Sequence, residues 1–183
     1  MKLDFKTVLK PALILCLICF CVSALLAVTN ELTKETIALA ALQKEEQSRQ
    51  LALPIADRFE KIDANSYTAF SGDEKVGYVF STESKGYSGA VKVMTGIDSE
   101  GMITGIIILA QTETPGLGSN CERESFTDMY KQKATKLEVV KNQGFGDGKI
   151  EAMTGATITT DAVTVAVNEA VSLYENIVGG ENG

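Results

Sequence analysis

Charged residues vanish from the chain between Pro11 and Asn30. The segment reads PALILCLICFCVSALLAVTN, and its apolar character reaches back to Val8 and Leu9. About 20 such residues cross a hydrocarbon layer of about 30 Å as a helix. A cleaved signal peptide would have a shorter apolar core, about 7–15 residues, and a small-x-small exit. Val22-Ser23-Ala24 offers such an exit, but apolar residues run past it. A lipoprotein signal wants small residues before its cysteine, whereas Leu15 precedes Cys16 and Phe20 precedes Cys21. An uncleaved signal anchor fits the pattern best. Lys2, Lys6 and Lys10 before the span outweigh the mixed Glu31, Lys34 and Glu35 after it. The positive-inside rule then puts the N-terminus in the cytoplasm and residues 31–183 on the outer side of the cell membrane.

Beyond the span the periodicity changes twice. Residues 31–53 are rich in Ala, Leu, Glu, Lys and Gln, with no Gly or Pro before Pro54. These strong helix formers predict a stalk helix continuing from the span. From Asp63 onward, short β-branched runs alternate with turn residues. Strands are expected at Val76–Phe80, Ala90–Met94 and Ile103–Leu109, separated by Lys85-Gly86-Tyr87-Ser88-Gly89 and Asp98-Ser99-Glu100-Gly101. Connections this short make an antiparallel meander. Residues 122–133 read as helix and Lys136–Lys141 as a short strand. Val163, Val167, Ala170, Val171, Tyr174 and Ile177 recur at three- and four-residue steps, the mark of an amphipathic helix over 161–178. Gly179-Gly180 reads as its stop. The expected architecture is α+β: a cytoplasmic tail and transmembrane anchor (1–30), a juxtamembrane stalk (31–56), and a mixed or antiparallel-sheet domain with a C-terminal helix (57–183).

Composition narrows the chemistry. Among 183 residues there is no histidine. That removes Ser-His-Asp and Cys-His nucleophiles, imidazole zinc sites and His-ligated haem. The net charge is −7, from 17 basic and 24 acidic residues, so a nucleic-acid binder is not indicated. Cys16, Cys19 and Cys21 lie inside the apolar span and Cys121 is alone beyond it, so neither a disulfide framework nor a metal site is expected.

Two loops stand out. Glu113-Thr114-Pro115-Gly116-Leu117-Gly118 follows the most apolar strand, and its glycines let backbone N–H groups approach a ligand. Thr154-Gly155-Ala156-Thr157 precedes the C-terminal helix, whose N-terminus offers unpaired N–H groups and a positive dipole end to a phosphate. Local physics is met equally well by a tight turn and by a strand–loop–helix connection capped by Thr or Asp161. Tyr87 and Tyr78 read either as strand-packing aromatics or as stacking partners for a planar ligand.

Glu151-Ala-Met-Thr-Gly-Ala-Thr157 resembles the Asp-x-x-Ser/Thr-Gly-Ala-Thr motif of the FMN-binding domain family. Together with Glu113–Gly118, Gly86-Tyr-Ser-Gly89 and the single N-terminal span, the whole chain is similar to the G subunits of Rnf ion-translocating ferredoxin:NAD oxidoreductases. The C subunits of sodium-translocating NADH:quinone reductases and other flavinylated respiratory carriers are the alternative. The resemblance implies that a separate flavin transferase joins FMN to Thr157 through a phosphoester. It places Thr154, Gly155, Ala156 and Glu151 in the attachment motif, with Glu151 where the family has aspartate. It also implies that Glu113, Thr114, Pro115, Gly116, Leu117 and Gly118 line the flavin site. The implied role is electron relay, coupled to Na⁺ or H⁺ export, beside membrane and iron–sulfur subunits of the complex. The flavin itself would be the redox centre, so a side-chain catalytic constellation is not required.

Overall fold

The computed structural model describes residues 5–134, 136–141, 146 and 148–181. Two compact units divide the chain, one ending at Gln43 and the other beginning at Lys44. The first is helical. Helix α1 (Phe5–Ala52) has Pro11 in its first turns. It is long and apolar enough to cross a membrane. Leu13, Leu17, Phe20 and Leu25 are exposed along it, as lipid-facing side chains would be.

The second unit is built on a five-stranded antiparallel sheet in sequential order. Its strands are β1 (Arg58–Lys61), β2 (Ser66–Ser71), β3 (Glu74–Lys85), β4 (Ala90–Asp98) and β5 (Ile103–Ala110). The meander expected from the β-branched runs is present, preceded by two strands that the pattern did not reveal. Alternation decides which side chain faces where. Val91, Val93 and Ile97 of β4 join Tyr78, Phe80, Ile103 and Ile106 in the main core, while Met94 turns to the other face with Ala69 and Val79.

Helix α3 (Thr157–Glu181) covers the main-core face. It contributes Ala162, Val163, Ala166, Val167, Ala170 and Val171, all buried. Each fully buried valine contributes roughly 1.5–3 kcal/mol relative to exposure. The small residues on this face let backbone and sheet approach closely, and the Thr82 hydroxyl donates to the Ala166 carbonyl at 2.8 Å. On the opposite face lie the end of α1 and the turn that follows it, with Ala52, Leu53 and Ala56 buried. Gly96 and Gly105, paired across β4 and β5, provide their seat: a Cβ on Gly96 would collide with the Ala52 carbonyl. Thr104 donates to that carbonyl at 2.5 Å.

Three expectations need correction. Residues 122–133 do not form one helix. They form a 3-10 turn (Gly118–Glu122), a four-residue helix α2 (Glu124–Thr127) and a second 3-10 turn (Asp128–Tyr130). Arg123, with φ −74° and ψ 140°, is extended and breaks the run. The strand expected over Lys136–Lys141 is shorter. It is β6 (Glu138–Val140), paired in parallel with β7 (Lys149–Glu151). The C-terminal helix starts four residues earlier than its apolar stripe indicates, at Thr157. It also continues through Gly179 and Gly180 to Glu181, with neither glycine in a positive-φ conformation.

Candidate functional site

At one end of the sheet three segments converge: the β3–β4 turn, the loop after β5 and the start of α3. They enclose a mostly apolar cleft of about 570 Å³. Its wall includes Tyr87, Glu113, Thr114, Leu117, Gly118, and the stretch Gly155–Thr159. A second, more polar cleft of about 270 Å³ lies beside it, lined by Lys141, Glu151, Met153 and Thr154. Gly155 and Thr157 belong to both, so the first turn of α3 is the partition between an apolar and a polar compartment.

Local chemistry explains each wall. Gly155 has φ +75°, a left-handed conformation that costs a non-glycine residue about 1–2 kcal/mol. The Thr160 hydroxyl accepts the Met153 N–H at 3.0 Å and donates to the Ala156 carbonyl at 3.1 Å, which ties the motif to the helix it opens. In the loop after β5, Gly116 also has positive φ, and its N–H donates to the Ser119 hydroxyl at 2.9 Å. Parallel pairing of Val140 with Glu151 brings Lys141 to the rim of the polar cleft.

Glu113 fastens the three segments together. It is 5% exposed. Its carboxylate accepts the Ser88 N–H at 2.9 Å and the Tyr87 N–H at 3.3 Å from the β3–β4 turn. The same group accepts a hydrogen bond from the Thr159 hydroxyl in the first turn of α3. Burial pushes its pKa up, but the Thr159 hydroxyl and the backbone N–H groups of Ser88, Tyr87 and Gly89 outweigh that. The net position is below the ordinary carboxylate value. An ionised Glu113 is what this cage holds.

The residues anticipated from sequence divide accordingly. Glu113, Thr114, Leu117, Gly118, Gly155, Ala156 and Thr157 line the apolar cleft, and Glu151 and Thr154 line the polar one. Pro115 and Gly116 form the exposed tip of their turn and line neither. Of the two candidate stacking tyrosines, Tyr87 is at the cleft and 71% exposed. Tyr78 is not at the cleft. It is 2% exposed, stacked on Phe80 at 6.1 Å and edge-on to Tyr174 at 5.7 Å, a core residue. Ile158 and Lys141 join the site unannounced, and Thr159 enters it as the partner of Glu113. An exposed Ile between two threonines was the one signal for the first. Cys121 is buried, and burial foremost, then the charges of Glu122 and Glu113, push its thiol up to about 11. Among the described residues no cluster of acidic or cysteine side chains could hold a metal.

The site thus pairs an apolar slot with a polar annex on either side of a threonine at a helix N-terminus. Residues 86–172 match the FMN-binding domain family, and residues 1–51 match the RnfG N-terminal region. The chain is 36% identical to the G subunit of the Na⁺-translocating ferredoxin:NAD⁺ oxidoreductase complex of Acetobacterium woodii, over 96% of both chains. It is 35% identical to the proton-translocating counterpart of Clostridium ljungdahlii, over 89% of both. The chain therefore belongs to the family of Rnf complex G subunits. Its fold is also that of the C subunit of Na⁺-translocating NADH-quinone reductase from Parabacteroides distasonis, with a TM-score of 0.51, 24% identity and 58% of each chain covered.

Proposed function

We propose that this chain is a membrane-anchored electron carrier of an ion-translocating ferredoxin:NAD⁺ oxidoreductase, with FMN joined by a phosphoester to Thr157. The observation that carries the reading is the position of Thr157 on the partition between the two clefts. An apolar compartment of this size suits a fused-ring ligand. The polar compartment, with Lys141, Thr154 and the α3 N-terminus, suits a phosphate group. Bound there, FMN supplies the electron chemistry.

The chain's own residues then have definite work. Thr157 provides the attacking hydroxyl oxygen during maturation. Its bond to the FMN phosphorus of FAD forms as the phosphoanhydride to AMP breaks, and the hydroxyl proton leaves with the AMP. Among the described residues no side chain hydrogen-bonds the Thr157 hydroxyl, although Glu151 lines the same polar cleft, and an acceptor without a bonded base fits modification by a separate transferase. Gly155 and Ala156 keep bulk away from the acceptor. Glu113 holds the cleft walls together. The apolar span anchors the domain, with the N-terminus cytoplasmic and residues 31–183 on the outer side. The coupling ion is set by other subunits of the complex, which include the iron–sulfur partners.

Intact and peptide masses of the full chain, produced with and without a flavin transferase, test the attachment. An FMN-sized adduct on the Thr157 peptide is expected only with the transferase, and absent in Thr157→Ala. No adduct in wild type, nor in Glu151→Asp, would overturn it. Membrane vesicles containing the assembled complex test the wider role. Ferredoxin-dependent NAD⁺ reduction lost in Thr157→Ala supports it, whereas loss of quinone reduction alone points to the quinone-reductase relatives.

A further inference from the structure

We infer that Glu113 is a fixed negative charge in the flavin cleft wall that lowers the midpoint potential of the bound cofactor. The inference rests on the reading of the cleft as the FMN seat.

Glu113 does more than a clamp requires. Neutral side chains can bridge a turn, a loop and a helix. Here the bridge is a carboxylate, 5% exposed, that lines the apolar cleft itself. The groups that hold it, the Tyr87 and Ser88 amides and the Thr159 hydroxyl, are all neutral donors. They favour the ionised form without cancelling its charge. Their net effect on its titration points the same way. Gly86 and Gly118 crowd the carboxylate so closely that a Cβ on either would lie 2.7–2.8 Å from one of its oxygens. The charge is therefore fixed in place, and solvent screens it far less than a surface charge.

Each electron added to a flavin adds one negative charge unless a proton accompanies it. A buried carboxylate in the same cleft opposes that charge and shifts the equilibrium toward the oxidised cofactor. Removing it should make reduction easier.

Glu113→Gln and Thr159→Ala break the same hydrogen bond from opposite ends. Only the first removes the charge. In Glu113→Gln the Thr159 hydroxyl can turn round to accept from the new amide while the remaining side-chain oxygen keeps the Ser88 N–H, so the bridge survives with only the longer Tyr87 bond lost. Reductive titration of the flavinylated full chain with dithionite and reference dyes reads the potential, with the spectrum and intact mass confirming loading. For Glu113→Gln we expect reduction to become at least tenfold more favourable, a positive shift of 59 mV or more per electron. For Thr159→Ala we expect a lower melting temperature but a potential equal to or below that of wild type. Equal positive shifts in both variants, or no shift in a loaded Glu113→Gln, would overturn the inference. If Glu113→Gln takes up no flavin, Thr159→Ala decides: a rise in potential assigns the effect to lost bridging and overturns the charge. Absence of flavin from wild type instead refutes the underlying reading.

Discussion

Gly118→Ala tests the packing beneath the cleft. The added Cβ would lie 2.7 Å from the Glu113 Cβ, 2.7 Å from the Thr159 hydroxyl oxygen and 2.8 Å from a Glu113 carboxylate oxygen. Optimal separations are about 3.5–4.0 Å, so each contact overlaps by roughly 1 Å. Neither neighbour can swing away, because Glu113 and Thr159 are buried and bonded to each other. Relief requires breaking that bond. Overpacking costs about 1–3 kcal/mol and loss of a hydrogen bond to a charged group about 1.5–3 kcal/mol. Replacing glycine stiffens the unfolded chain and returns about 0.4–1 kcal/mol. The expected net loss is about 2–5 kcal/mol, or roughly 6–15 °C in melting temperature for a domain of this size. Gly116→Ala is the control: it has open space around it, so only its φ of +77° matters, at a cost of about 1–2 kcal/mol. Thermal unfolding of the full chain in detergent, followed by circular dichroism, compares the two. Equal melting temperatures for wild type and Gly118→Ala would refute the steric account.

Acid should weaken the domain through Glu113. Its folded pKa lies below the ordinary 4.5, so the ionised group stabilises the fold above that value, and the contribution is lost as pH falls through the folded pKa. Denaturant titrations should show wild type and Glu113→Gln furthest apart at neutral pH and converging below about pH 4.5, with a constant gap refuting the assignment. Asp63, also lowered chiefly by the Asn65 N–H, titrates identically in both chains and cancels in the difference. Cys121, with its thiol raised to about 11, should resist iodoacetamide at pH 8 in a chain whose Cys16, Cys19 and Cys21 are replaced by alanine. Labelling should become complete only on unfolding, and rapid labelling of the native chain would contradict its burial. Free FMN added to Thr157→Ala should be stripped by gel filtration, because the cleft is open, whereas stoichiometric retention would show that the cleft binds tightly without a covalent bond.

What the sequence disclosed depended on how far each feature reaches along the chain. Strands β3–β5 and helix α3 follow from local period, because one face of each is packed with β-branched, aromatic or small apolar side chains. Strand β1 was hidden since three of its four residues are exposed, and β2 since its buried positions are Ser66 and Ala69. The pattern over Lys136–Lys141 discloses β6 but overstates its length, whereas its parallel partner β7, only three residues long, has no pattern of its own. The placement of Thr157 at the cleft was legible because its motif is contiguous. The role of Glu113 was not: its partners lie 25 residues upstream at Ser88 and 46 downstream at Thr159, and no local spacing encodes that meeting.

The openness of the cleft and the position of Thr157 answer the same physical problem. Tight reversible ligands are usually enclosed over about 70–90% of their surface. Here Leu117, Ile158 and Tyr87 at the rim are 46%, 52% and 71% exposed, so a ring seated among them keeps a face toward its surroundings. Such exposure suits exchange of electrons with a partner but forgoes much of the burial that would hold a free ligand. The proposed bond at Thr157 would replace affinity with connectivity, since a tethered group returns to its seat at an effective concentration of about millimolar or above. The seat must then stay formed whether or not it is filled. Rim contacts cannot ensure that, because they are solvent-exposed. Glu113 can, because its hydrogen bonds to Ser88 and Thr159 are shielded within the cleft wall and link the turn, the loop and the helix independently of any occupant.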